Sequence, residues 1–102
     1  MKIEVSGIHH YELSDADREA VTQRFQRVAE QVSELAVLDV QLFEEANPRI
    51  TKEKMVCEAT LTLKGATIRA TEAQPEMIHA IHQCAEDIRR QVTKHNEKLR
   101  GR

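Results

Sequence analysis

Positively charged side chains gather near the end of the sequence, in the segment RRQVTKHNEKLRGR at residues 89–102. This segment holds six Arg or Lys residues and one Glu, whereas residues 1–88 hold nine Arg or Lys against sixteen Asp or Glu. Arginine and lysine bind phosphate oxygens, so the cluster could bind a nucleic-acid backbone. It also fits an ordinary solvated helix end, where cations complement the helix dipole. The formal net charge of −2 favours this second interpretation on composition alone.

Two pairs of histidines raise the question of a metal site. His9 and His10 are adjacent, so on a strand end they would point to opposite sides, and no HxxxH or CxxC spacing supports them. His79 and His82 are three residues apart on a predicted helix, but no carboxylate or thiolate is spaced to complete a ligand set. We predict solvated histidines and no metal.

The other reactive side chains are two cysteines. Cys57 falls on the inward side of a predicted strand and Cys84 in the apolar stripe of a predicted helix. Buried, reduced structural thiols are therefore expected rather than nucleophiles. The chain has only three glycines, so it offers no glycine-rich phosphate loop. We expect no cofactor and no enzymatic activity.

Apolar spacing predicts four strands and two helices. The strands alternate at Ile3 and Val5, at Leu38, Val40 and Leu42, at Met55, Cys57, Ala59, Leu61 and Leu63, and at Ile68 and Ala70 after a turn at Gly65. Ser14 is the predicted N-cap of a helix with a stripe of Val21, Phe25, Val28 and Val32. Pro75 is predicted to open a last helix with the stripe Met77, Ile81, Cys84, Ala85, Ile88, Val92 and Leu99. A polar loop is predicted around Pro48.

This order of elements predicts the fold class. Strands that are apolar on one side and helices with one apolar stripe bury their faces together as two layers. We predict an α+β domain over residues 1–102, with the order β-α-β-β-β-α and both helices on one face of a four-stranded sheet. No segment of the sequence is apolar enough for a signal peptide or a membrane span, so a cytosolic location is expected.

The helices carry the basic residues on their outer faces. Helical geometry puts Arg90 and Lys94 opposite the core stripe, with Lys98 beside them and Arg89 and Arg100 on the flank. On the first helix Arg24 and Arg27 are neighbours, whereas Arg18 lies on the other side of the stripe. Glu86 or Asp87 could pair with Arg90 as an ordinary surface ion pair. Two such helices could form a basic strip for an anionic backbone. The chain has only three aromatic residues, which argues against a base-stacking platform.

The block PEMIHAIHQCAEDIRRQVTKHNEKL resembles the final helix of the ribosome hibernation promoting factors and the related ribosome-associated inhibitor (factor Y). The matching positions are Glu76, Met77, Ala80, Ile81, Arg90, Gln91, Val92, Lys94, His95, Lys98 and Leu99. KIEVSG resembles the first strand of that family, CEATLTLKGATIRATEA its last hairpin, and Arg18-Glu19, Arg24-Phe25 and Arg27-Val28 its first helix. The resemblance covers nearly the whole chain, and in family terms the fold resembles a double-stranded-RNA-binding domain.

The resemblance implies a cytoplasmic protein that binds the small ribosomal subunit and its ribosomal RNA in the messenger and transfer RNA channel. It implies inhibition of translation under stress or in stationary phase, with a second small hibernation factor as a further partner and no role for DNA or a membrane. The residues expected to contact RNA are Arg18, Arg24, Arg27, Arg89, Arg90, Lys94, His95, Lys98 and Arg100, with Arg69 a weaker candidate. The resemblance also predicts the short form of the family, without a C-terminal dimerisation domain.

Four positions depart from the family pattern. Ile78 stands where the family has Tyr, His82 where it has Asp, and Asp87 and Asn96 where basic residues are frequent. Each departure removes an RNA contact or adds a charge that repels phosphate. The alternative function is therefore a protein-interaction module of the same fold that no longer binds ribosomes. It would use the exposed sheet face at Val56, Thr60, Thr62 and Arg69.

Overall fold

A computed structural model describes residues 1–45 and 54–100 of the chain. The elements are β1 (Lys2–Gly7), α1 (Asp15–Arg24), α2 (Gln26–Ala29), β2 (Val37–Glu44), β3 (Met55–Leu63), β4 (Ala66–Gln74) and α3 (Met77–Arg100). The predicted loop around Pro48 lies outside the described residues, except for its ends. The predicted α+β class and order of elements are confirmed.

The strands form one sheet in the order β1-β2-β3-β4. β1 runs parallel to β2, and the other two pairs are antiparallel. A parallel pair needs a crossover connection, which α1 and α2 supply between β1 and β2. β3 and β4 are joined at Gly65, whose φ of 77° is a backbone conformation that glycine adopts without steric cost. The turn predicted at Gly65 is confirmed.

The hydrophobic core lies between the helices and one face of the sheet. α3 packs on β3 and β4, and α1 and α2 pack beside α3. The largest side chains with no exposed surface come from both layers: Phe25, Leu38, Leu42, Leu61, Ile81 and Ile88. The aliphatic residues that the sequence pattern pointed inward thus fill one two-layer core.

The first helix begins as predicted. Ser14 Oγ accepts a hydrogen bond from the Asp17 backbone N–H (3.0 Å), and Asp17 Oδ2 accepts one from the Ser14 N–H (3.2 Å). This reciprocal capping box satisfies two donors that would otherwise lack a partner at the helix start. Tyr11 also donates its hydroxyl to Asp17 Oδ2 at 2.8 Å. Burial and the neighbouring Asp17 raise the pKa of Tyr11 to about 12.

Four details of the predicted helices are wrong. The first helix is interrupted at Phe25 (φ −90°, ψ 5°), where the ring is fully buried, and α2 ends at Ala29, so that Val32 lies beyond it. The last helix begins at Met77 rather than at Pro75. Leu99 is 66% exposed, because α3 is long enough to run past the core that it covers.

Candidate nucleic-acid interface

Three cations lie along the outer face of α3. Arg90, Lys94 and Lys98 are all exposed and follow one another at intervals of four residues. With a rise of about 1.5 Å per residue, neighbouring side chains are separated by about 6 Å along the helix axis. The stripe of Ile88 and Val92 is buried on the opposite side of the helix. The outer face of α3 therefore presents a row of solvated positive charges, with the exposed carboxylate of Glu97 beside Lys94 and Lys98.

Arg89 differs from this row because it is already paired. Its Nη2 donates to Glu86 Oε2 at 3.0 Å, and its side chain is only about one third exposed. The hydrogen bond from Arg89 is the main cause that lowers the pKa of Glu86. Glu86, one of the two acids that could have paired with Arg90, is paired with Arg89 instead, and the Arg90 Nε donates to the Glu86 backbone carbonyl at 3.4 Å. The Arg90 guanidinium therefore forms no ion pair with Glu86 and can bind another anion.

The first two helices contribute exposed arginines beside α3. Arg24 and Arg27 are exposed, and Arg27 lies near enough to Glu86 to help lower its pKa. A hydrogen bond ties α3 to the chain just after α2: the Gln31 backbone carbonyl accepts from Asn96 Nδ2 at 3.2 Å. This joint brings Arg27 to the Arg89 side of α3. Arg18 is exposed on α1, but no contact among the described residues links it to the other cations.

Asn96 and Asp87, two of the departures from the family pattern, have structural partners. Asn96 ties α3 to the chain after α2 through Gln31, as described above. Asp87 Oδ1 accepts from Gln91 Nε2 at 3.2 Å, and the same nitrogen donates to the Arg69 carbonyl of β4 at 2.8 Å. Gln91 thereby fastens α3 to the open edge of the sheet. These contacts span 65 and 22 residues of sequence, so spacing along the chain could not reveal them.

Asp87 also places a negative charge next to the row of cations. It lies beside Glu72 of β4, whose pKa is raised by burial and then by the charge and hydrogen bonding of Asp87. Arg90 acts in the opposite direction on the same pKa. The carboxylates and Arg90 therefore share one corner of the candidate interface. Acid at this corner weakens the attraction of a phosphate to Arg90.

His95 and Arg100 lie away from the outer row. His95 is half-buried and lines a hollow beneath the end of α3 together with Leu99. Arg100 is exposed on the α2 side, near Glu30 and Gln31. Of the nine predicted residues, the structure thus brings five onto the outer side of α2 and α3, namely Arg27, Arg89, Arg90, Lys94 and Lys98, whereas Arg24, like Arg18, is exposed on α1 without a contact among the described residues that links it to them. Arg69 is exposed on the opposite side of the sheet.

The other histidines are not arranged around a metal. His9 and His10 both have left-handed backbone conformations, with φ of 53° and 68°, and the His9 ring packs edge-on against Phe43. His79 Nδ1 lies 3.4 Å from Glu76 Oε2, an exposed pairing between the first turn of α3 and the residue before it. Among residues 1–45 and 54–100, no group of three or more His, Cys, Asp or Glu side chains could hold a metal ion.

Both thiols are fully buried, as predicted, and they lie next to each other. Hydrogen bonding with Cys84 and burial raise the pKa of Cys57. Cys84 Sγ donates to the Ala70 carbonyl at 3.6 Å. A raised pKa disfavours the thiolate, which is the nucleophilic form, so Cys57 is a structural side chain.

The outer face of the sheet, predicted as an exposed surface for protein binding, differs from that prediction at Val56. Val56 is only 5% exposed, because Phe43 and Ala73 flank it on the neighbouring strands. The strand β3 is therefore buried on both faces at this point. Thr62 and Arg69 remain exposed, and Thr60 is half-buried. Without Val56 this surface is polar.

Comparison with known proteins gives a family. Residues 3–100 match the model of the family described as "Sigma 54 modulation protein / S30EA ribosomal protein". This chain belongs to that family. Two similar relatives are named ribosome hibernation promoting factor. The one from Azotobacter vinelandii is 31% identical, and the match covers 96% of this chain and 85% of the relative. The one from Salmonella typhimurium is 28% identical over 98% of each chain.

Solved structures share the fold. A ribosomal subunit interface protein from Coxiella burnetii superposes with a TM-score of 0.76 at 21% identity, covering 95% of this chain and 99% of its own. The N-terminal domain of Protein Y from Thermus thermophilus gives the same TM-score at 20% identity, covering 93% of this chain and 99% of its own.

Within the described residues, no helix is both long and apolar enough to span a membrane.

Proposed function

We propose that this chain is a ribosome hibernation factor that binds ribosomal RNA of the small subunit through the outer faces of its helices. The observation that supports the proposal most is the row Arg90, Lys94 and Lys98. These cations are exposed and form no ion pair with another described residue. They stand on a chain whose relatives are named for ribosome hibernation.

The chemistry of the row fits a nucleic-acid backbone. Phosphate contacts supply most of the affinity for RNA, and the shape of a rigid body selects the place where it docks. Gln91 and Asn96 fasten α3 to β4 and to the chain after α2, so the cations project from a fixed support. Arg27 extends the positive surface to the neighbouring helix. The acidic remainder of the chain disfavours binding to RNA in other orientations.

The finer role follows from the place that such a body would occupy. Bound in the channel of messenger and transfer RNA, the protein would exclude both and stop translation under stress or in stationary phase. We propose a cytoplasmic location, action without catalysis, and a second small hibernation factor as a further partner. The alternative of a protein-interaction module through the outer sheet face has less support, because Val56 is buried there.

Competition on purified small subunits tests this proposal. Labelled messenger RNA and initiator transfer RNA are bound first, and their release is measured as the protein is added. We expect release by the natural protein and none by the variant Arg90→Glu/Lys94→Glu/Lys98→Glu. The control Lys2→Glu/Lys54→Glu/Arg69→Glu changes the net charge equally, but on the sheet side, and should still compete. Equal loss in both variants, or no release by the natural protein, would contradict the proposed role.

A further inference from the structure

A hollow of about 560 Å³ opens beneath the overhanging end of α3. Its walls come from three separate parts of the chain: residues 31–33 and 35–37 after α2, residues 62–64 at the end of β3, and His95, Asn96 and Leu99 of α3. Here the apolar stripe of α3 continues past Val92 to His95 and Leu99, but the sheet beneath it has ended. The stripe therefore faces an open space instead of core.

The walls of the hollow are apolar, with polar groups at the rim. Leu35 and Leu99 are 85% and 66% exposed, and Val32 and Leu63 are half-buried beside them. His95 offers a flat, half-buried ring. Sites for small molecules have volumes of about 300–1,000 Å³ and the same mixture of apolar walls and a few polar groups. The hollow therefore has the size and lining of a ligand site.

The charges around the hollow select the kind of ligand. Its lining includes Lys64 and His95 as basic side chains and, among the described residues, no Asp or Glu. Lys94 and Lys98 precede His95 and Leu99 directly on α3, so the row of cations runs along the side of the opening. A ligand with an apolar body and a negative charge would match these apolar walls and neighbouring cations.

We infer that the hollow binds one unpaired base of an RNA strand whose phosphates lie on Lys94 and Lys98. The base would stack on the His95 ring between the side chains of Leu35 and Leu99. Recognition of unpaired bases commonly uses stacking on aromatic or imidazole rings. This inference rests on the proposed function and adds to it a specific contact with single-stranded RNA.

Charge also decides against a second copy of the chain as the occupant. Two copies joined through Leu35 and Leu99 would bring the cationic ends of both α3 helices together, namely Lys94, Lys98 and Arg100 of each. These charges would repel, whereas the phosphates of an RNA strand neutralise them. An RNA duplex is also unsuitable, because its bases are stacked in pairs.

Two hexaribonucleotides separate base from backbone. One is hexa-adenylate, and the other is an abasic hexamer with the same sugar–phosphate chain; binding to the full chain is followed by fluorescence anisotropy. We expect hexa-adenylate to bind about tenfold more tightly, which lies within the range for stacking one base on a side chain. His95→Ala and Leu99→Ser should remove this difference, and His95→Phe should retain it.

Ile78→Ser is the matched control, because Ile78 is an exposed aliphatic residue at the other end of α3, 49% exposed. It should leave both affinities unchanged. Equal binding of the two hexamers, or binding of neither, would overturn the base site. The release of messenger RNA from small subunits, measured separately, shows whether the proposed function survives that result. A dimer in sedimentation velocity that Leu99→Ser dissociates would overturn the inference in favour of a second copy.

Discussion

The substitution Asp87→Asn tests how the acidic corner limits the interface. It removes one negative charge beside Arg90 while keeping the size of the side chain. In the natural protein, Gln91 Nε2 donates to Asp87 Oδ1 at 3.2 Å, and asparagine Oδ1 can still accept this hydrogen bond. The link from Gln91 to the Arg69 carbonyl should therefore persist. The change thus removes the charge and keeps the hydrogen bond from Gln91, while at Glu72 it replaces a carboxyl partner by an amide that can donate.

The expected gain in RNA affinity is small but measurable. A phosphate held by Arg90 would lie on the order of 7 Å from position 87, where two unit charges in water repel by about 0.6 kcal/mol. Asp87→Asn should therefore bind small-subunit RNA about threefold more tightly at low salt. The gain should shrink as salt rises, because screening weakens interactions between exposed charges.

The same substitution should alter how stability depends on pH. The pKa of Glu72 is raised in the folded state, by burial and then by Asp87, so the folded state holds this proton more tightly than the unfolded state does. The free energy of unfolding of the natural protein therefore falls as the pH rises from the ordinary pKa of a glutamate to the raised value. Without Asp87 this loss should be smaller, giving a gain of about 0.5 kcal/mol at pH 7, as for a like-charged pair at a solvated site.

Urea unfolding from pH 4 to pH 8 and binding to small subunits measure the two effects. Asp39→Asn is a suitable control, because Asp39 is an exposed acid on β2, on the sheet face opposite the helices. It should change neither the pH dependence nor the affinity by a comparable amount. If Asp87→Asn bound RNA more weakly, or lost stability at every pH, Asp87 would be a structural residue rather than a brake on binding.

Three further substitutions test the fold that supports the interface, each by urea unfolding. Tyr11→Phe should cost about 1.5–3 kcal/mol at pH 7, because it removes a hydrogen bond to a carboxylate. Since the pKa of Tyr11 is raised to about 12, only the natural protein should lose stability from Tyr11 ionisation between about pH 10 and 12. An identical alkaline profile in both proteins would contradict this. Gly65→Ala should cost about 1–2 kcal/mol from its positive φ alone, since no neighbour lies within 4 Å of an added Cβ; an unchanged stability would show that the turn adapts. Cys57→Ser should cost about 1–3 kcal/mol by burying a hydroxyl without altering ribosome affinity, and a lost affinity with an intact fold would show that the thiol has a direct role.

The sequence was sufficient to predict the layers of this fold. Alternation at Leu38, Val40 and Leu42 and the long stripe of α3 each specify a buried face without reference to the rest of the chain. The cap at Ser14 is equally local, because the capping box needs only residues three apart. Periodicity and capping are properties of short segments, so they can be recognised before the tertiary structure is known.

The features that were wrong or missed depend on neighbours that are distant in sequence. Val56 is buried because Phe43 and Ala73 lie on adjacent strands, and Leu99 is exposed because the sheet ends beneath it. At the interface, Arg90 was placed correctly by helical geometry alone. The sequence did not predict that Arg90 would form no ion pair with Glu86, because Arg89, three residues after Glu86, competes for the same carboxylate. Spacing permits both pairings, and only side-chain geometry decides between them.

The central claim is that the outer face of α3 binds small-subunit RNA through phosphate contacts. Co-sedimentation with small subunits over a series of salt concentrations tests it most directly. The slope of log affinity against log salt should be about −0.7 to −0.9 for each phosphate contact, and Arg90→Glu/Lys94→Glu/Lys98→Glu should lose binding at moderate salt while Lys2→Glu/Lys54→Glu/Arg69→Glu retains it. Binding that does not depend on salt, or that survives in the α3 variant, would contradict the account.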